Sequence, residues 1–417
     1  MDAGSLVTAS GVKVRVVDPG RESRDRGPDL TEAVVALGDS VPACGDIEVH
    51  RSARDWKGHG HDQDPEYNRV ILHVVWEGDT GAILESGNVV PTLSLRSCLA
   101  GSLDEVVDWA NSPMPRREPC FKAGKRLGHA ELCTVLDEAG EARFCLKAST
   151  ITEALQAETP SQVLYQGMMG ALGYAKNKEP FEEIARRLRI EGLESVCRGR
   201  SRQERVAVLE SLLLSVGGFL PRGDLHRDKI WSQLGQRDAI SPSCWHLFRV
   251  RPDNHPARRL SGAAHVISGF MERGGFLEGV LKLLHEPELD AGCLEKSFTV
   301  RATEGLSVHK RTLIGQGRAR EIVVNVVLPF AFAWAKAEGQ SGLMERVQAI
   351  HRSYPSAGEN GITRELTDLM LEPDARRFIS TARRQQGLIH LAKSYCHQRR
   401  CASCPLSRRL EAARLAS

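Results

Sequence analysis

The chain has 417 residues, a formal net charge of +3, 41% hydrophobic residues and 26% charged residues. These proportions describe a globular protein long enough for two or three domains. No apolar run reaches the roughly 20 residues of a membrane helix, and eleven cysteines in so long a chain exclude a disulfide framework.

In chain order, the first 150 residues read as β-rich. Strands are expected at 12–17, 32–37, 46–50, 70–76, 82–90 and 142–147, with Gly, Pro and Asp between them. A short helix is expected at 103–109 and a loop at 111–115. From residue 150 the apolar spacing changes to a helical period. The segment 180–188 has a proline and glutamates in its first turn, and 205–216 is closed by Gly217 and Gly218. Further helices are expected at 256–271, 275–284, 318–336, 341–353 and 363–371. The expected fold is therefore α+β over 1–150, followed by an all-helical domain over 151–417. The N-terminus lacks the basic-then-apolar layout of a secretion signal, so the expected location is cytoplasmic, with no membrane association.

Acids and histidines concentrate between residues 27 and 79. Pro28 and Asp29 precede one expected strand, and the next, GDIEVH at 45–50, carries Glu48 and His50 two residues apart and so on one face. Two carboxylates on adjacent strands suit Mg²⁺ or Mn²⁺, because hard cations favour oxygen. Asp29 and Glu48 are the expected ligands, His50 the group that positions the attacking water, and Asp46 a spare ligand. Beyond lies DWKGHGH at 55–61. His59 and His61 are read either as contacts to a scissile phosphate or, with His50 and a carboxylate, as ligands of a transition metal. Asp55 and Trp56 are expected to anchor the turn, and His73, inside an apolar strand, to be a satisfied core histidine. No nucleophile-elbow serine and no phosphate-binding glycine loop occurs.

The pattern Pro28-Asp29, Glu48, His50 resembles the core signature of the PD-(D/E)XK nuclease superfamily, with His50 where lysine is usual. That resemblance implies a restriction-endonuclease-like core and metal-dependent cleavage of nucleic-acid phosphodiesters. Two alternatives stand beside it: a non-catalytic nucleic-acid-binding or scaffold protein, and another metal-dependent hydrolase using His59 and His61. A broader resemblance, to the bacterial family catalogued as domain of unknown function 2851, rests on the same segment. It also rests on Gly173 to Asn177, the stretch from Arg251 through Pro256 to Arg259, Asn325, Pro329 and the terminal cysteines. It implies no activity.

The C-terminal region adds two features. Cys396, Cys401 and Cys404 have the spacing C-x4-C-x2-C, which suits Zn²⁺ or a [4Fe–4S] cluster. The fourth ligand is expected to be His397 or a distant cysteine such as Cys44, Cys98 or Cys120. Paired arginines at 376–377, 383–384, 399–400 and 408–409 form either a track for a nucleic-acid backbone or a solvated helix face.

Overall fold

The structure is a computed structural model that describes residues 6–23, 26–98, 119–220, 238–248, 250–303, 310–398 and 400–416. The expected helix at 103–109 and loop at 111–115 lie outside these residues. The chain divides into two compact units, Met1–Arg116 and Arg117–Ser417. The division falls ahead of the boundary expected at 150. None of the helices among the described residues is long and apolar enough to cross a membrane.

The first unit is built on one mixed sheet of β1 (Val14–Asp18), β2 (Arg21–Glu22), β3 (Leu30–Leu37), β4 (Ala43–Ser52), β5 (Val70–Glu77) and β8 (Thr92–Ser94). Its order is β1-β3-β4-β5-β8, with β2 on β3. The hairpin β3–β4 is antiparallel, whereas β4, β5 and β8 run parallel. A parallel step needs a crossover. The link from β4 to β5 supplies it with α1 (Asp55–Gly58) and two 3-10 turns, His61–Gln63 and Pro65–Tyr67. The expected strand at 82–90 is instead a small hairpin of β6 (Ala82–Ile83) and β7 (Val89–Val90). Val35, Ile47, Leu72 and Leu93 share one apolar core, and Trp56 centres a second with Tyr67, Val70 and Leu84.

Among the described residues, the second unit is helical apart from one antiparallel pair of strands, β9 (Val300–Thr303) and β10 (Lys310–Ile314). After α2 (Ala123–Leu127) comes α3 (His129–Ala157), which runs through both the expected boundary and the strand expected at 142–147. Read alone, 142–147 alternates. Across the longer window the buried Leu132, Leu136, Ala139, Phe144 and Ala148 recur at three to five residues, and that period prevails. The expected helices at 256–271 and 341–353 are present as Pro256–Met271 and Ser341–Ser353. Helix α3 packs on the later helix Ala382–Leu391, where the backbones nearly touch. A Cβ on Gly140 would meet the Arg383 carbonyl at 2.1 Å, and one on Gly387 would meet the Leu136 carbonyl at 2.1 Å. The motif residues at 173–177 and 251–259 are joined here: Arg259 donates to the Tyr174 hydroxyl at 3.1 Å and to Asn254 Oδ1 at 2.6 Å.

A polar group bridges α3 and the following helices. Lys147 Nζ donates to Asn325 Oδ1 and, at 3.1 Å, to Gln386 Oε1. Burial, with Arg143 nearby, pulls the Lys147 ammonium down to about 7. Between that value and the usual lysine range the unfolded chain binds the extra proton, so stability rises with pH across this window. Urea unfolding at several pH values is expected to show Lys147→Met losing up to about 1.4 kcal/mol per pH unit of that rise relative to wild type.

Four of the eight paired arginines make ion pairs within the unit. Arg383 and Arg384 both bind Asp137, at 3.1 and 3.2 Å, while Arg376 pairs with Asp368 and Arg409 with Glu131.

Candidate metal centre

Strand β4 buries Asp46, Glu48 and His50 on one face. Burying three such side chains is unfavourable unless each finds partners. For Asp46 the partner is structural. The β3–β4 register slips between Leu30 and Ala33, Glu32 takes a φ of 57°, and its N–H donates to Asp46 Oδ1 at 3.1 Å. Asp46 thus secures a bulge rather than serving as a spare ligand. Bulges redirect a strand. Here the bulge is followed by a reciprocal exchange between the expected acids. Asp29 N–H donates to Glu48 Oε2 at 3.0 Å, and Val49 N–H donates to Asp29 Oδ2 at 3.1 Å. The structure therefore brings Asp29 and Glu48 together across neighbouring strands, with Glu48 buried and Asp29 exposed.

The crossover brings the histidines to the same place. Asp55 Oδ2 accepts the Ser52 N–H at 2.9 Å, and the buried Trp56 donates from Nε1 to the Ile83 carbonyl at 2.8 Å. These are the anchoring roles expected of both residues. Gly60 then adopts a φ of 77°, a left-handed turn that side chains disfavour. The turn lets His59 and His61 converge on His50, whose ring centroid lies 4.9 and 5.2 Å from theirs. One ring nitrogen from each of the three histidines falls within 4.8 Å of the others. Glu48 Oε1 lies 3.3 Å from His50 Nε2 and 3.5 Å from His61 Nε2.

The proton positions follow from a chain of donors that begins in the core. Thr92 Oγ1 donates to the Thr80 carbonyl at 3.2 Å, so it accepts from His73 Nδ1 at 3.5 Å. His73 Nε2 is then the lone pair that receives His50 Nδ1–H at 2.9 Å. His50 Nε2 is left unprotonated, an acceptor within hydrogen-bond distance of His59 Nδ1 at 3.1 Å. His73 is the satisfied core histidine expected from its strand, and it also orients His50. Metal-binding imidazoles are commonly held through their second nitrogen in this way. Replacing His73 with Phe, which fills similar space and removes the acceptor, is expected to weaken metal binding by about 10–100-fold in calorimetric titration.

Electrostatics favours neutral rings and an unsettled carboxyl. Burial, then the neighbouring His50 and His59, lowers His61 to about 4, and burial with His59 lowers His50. Burial first, and the Asp29 charge second, pushes Glu48 up to about 7. His61 stacks on Tyr67 with centroids 3.8 Å apart, yet its buried Nε2 has no hydrogen-bond partner among the described residues. Imidazoles that offer an unprotonated nitrogen on His50 and an orphaned one on His61 form a donor set suited to a borderline cation such as Zn²⁺ or Fe²⁺. Sequence reasoning named every residue of this group except its supports. Thr92, Thr80 and the Tyr67 platform carry no local signal, because their roles arise from strand pairing and from the crossover.

No curated protein and no solved structure matches the chain. Residues 1–360 match the family model described as Protein of unknown function (DUF2851), a span that contains the whole acid–histidine group and stops before Cys396. On that match, the chain belongs to the DUF2851 family.

Proposed function

We propose that the protein is a metal-dependent hydrolase of phosphodiesters, with nucleic acid as the substrate class that the Asp29, Glu48, His50 pattern suggests. The observation that carries the reading is the convergence of three imidazoles and a buried carboxyl group at one point beside a mixed sheet. His50, His59 and His61 would hold the ion in this reading. An ion bound there would supply Lewis acidity and lower the pKa of a water. Glu48 lies within reach of both His50 and His61 and accepts the water proton. Asp29, through its N–H, keeps Glu48 aimed. A donor set rich in imidazole favours a transition ion over the Mg²⁺ expected from two carboxylates alone. His59 and His61 accordingly shift from phosphate contacts to ligands, and the arginines engaged in internal ion pairs do not support an extended nucleic-acid track.

The test uses the purified full chain, stripped with a chelator and reloaded with Zn²⁺, Mn²⁺ or Mg²⁺. Hydrolysis is followed on bis(p-nitrophenyl) phosphate, single-stranded and duplex DNA, and RNA. Expected is activity that vanishes on stripping and returns with a transition ion. Tight ion binding with no hydrolysis of any of these substrates would sink the catalytic reading.

A further inference from the structure

We propose that Cys120, Cys396, Cys401 and Cys404, all in the second unit, hold a [4Fe–4S] cluster. The three C-terminal thiols are placed by a run of tight turns. Cys396 ends the π-turn Ala392–Cys396, which continues the helix Ala382–Leu391. Arg400 N–H returns to the Tyr395 carbonyl at 2.8 Å, and Cys401 opens a 3-10 turn. Cys404 N–H donates to the Cys401 carbonyl at 3.1 Å just before the final helix, Pro405–Ala416. Cys120 arrives from the other end of the unit, in the turn before α2, where Lys122 N–H donates to the Leu369 carbonyl at 2.8 Å. Cys120 and Cys404 are buried in one apolar cluster with Leu132, Leu406 and Leu410, and Cys396 packs against it.

The thiols also sense one another. Burial, then Cys396, Cys404 and Cys401, pushes the Cys120 thiol up to about 12. Burial, followed by Cys404 and Cys401, raises Cys396 to about 11. Thiols held at an apolar cluster become thiolates only when a cation offsets their charge. Of the expected fourth ligands, His397 is exposed and Cys120 is buried in the apolar cluster that holds Cys404 and borders Cys396.

Spacing selects the cofactor. Four thiolates around one zinc ion at about 2.3 Å sit roughly 3.8 Å apart. Among the described residues, no three of these sulfurs lie within 4.8 Å of one another. A cubane places iron and sulfide between its thiolates and so takes sulfurs set farther apart than one zinc ion does. The cluster would join residue 120 to residues 396–404 and staple the unit closed, which lends folding energy without requiring chemistry.

The experiment is anaerobic purification of the full chain from iron-supplemented cells, with iron and acid-labile sulfide counted and the visible absorption recorded. Sulfide separates this site from iron held by imidazoles. Expected are about four iron and four labile sulfide per chain, retained in His397→Ala and largely lost in Cys120→Ser. Stoichiometric zinc without sulfide, or a full cluster in Cys120→Ser, would overturn the proposal. Should Cys120→Ser be insoluble, alkylation of the wild-type chain decides: these four thiols are expected to be protected until iron is chelated, and protection that never depends on iron overturns it.

Discussion

Glu48→Gln is expected to lower the hydrolytic rate by about 10³-fold, within the range typical of losing a general base and equal to about 4 kcal/mol in the barrier. Glutamine keeps the size of the side chain and an oxygen that still accepts the Asp29 N–H. What it loses is the capacity to take a proton. The fold should therefore be untouched, with circular dichroism and the unfolding midpoint close to wild type. Ion affinity should change less than turnover, because the three imidazoles remain. Turnover equal to wild type would remove Glu48 from the chemistry and, with it, the assignment of the site as catalytic. A large loss of ion affinity without a matching loss of saturated rate would recast Glu48 as a ligand.

His61→Ala addresses the other half of the site. Its Nε2 is buried and without a hydrogen-bond partner among the described residues, so its removal takes away a proposed ligand nitrogen rather than one that supports a neighbour. The affinity for Zn²⁺ or Mn²⁺ should fall by more than the roughly 10–100-fold expected when an outer partner such as His73 is lost. Differential scanning fluorimetry gives a second readout. Ion binding raises the unfolding midpoint by mass action, and in the variant that rise should disappear at ion concentrations that saturate wild type. The stacking on Tyr67 is lost as well, so the apo variant should be modestly less stable. An undiminished affinity would show that His61 belongs only to the small core around Trp56.

Much of this was legible in the sequence because β-strands have a period of two. Glu48 and His50 at alternate positions had to share a face, and an acid before the preceding strand had to come near them once the hairpin closed. The glycine between His59 and His61 signalled a turn but not its direction. That direction depends on Trp56 reaching the Ile83 carbonyl, a contact made across a parallel crossover. The bulge at Glu32 was invisible for a similar reason: Asp46 looked like a ligand until its carboxylate was seen to hold the Glu32 N–H. In the second unit the six residues at 142–147 carried an ambiguous local pattern, and only the longer apolar period of α3 resolved it. Three of the four cysteines in the proposed site were recognisable from spacing, whereas Cys120, which the fold buries in one cluster with Cys404, carried no local signal that set it apart.

The crossing at Gly140 and Gly387 fixes a gauge. Side chains can swing between rotamers and let two helices drift, but here main chain rests on main chain. The segment carrying Cys120 leads into α3 through a short helix, and Cys396 lies one π-turn beyond the partner helix. The placement of Cys120 relative to Cys396 thus depends on two missing methyl groups at a helix crossing.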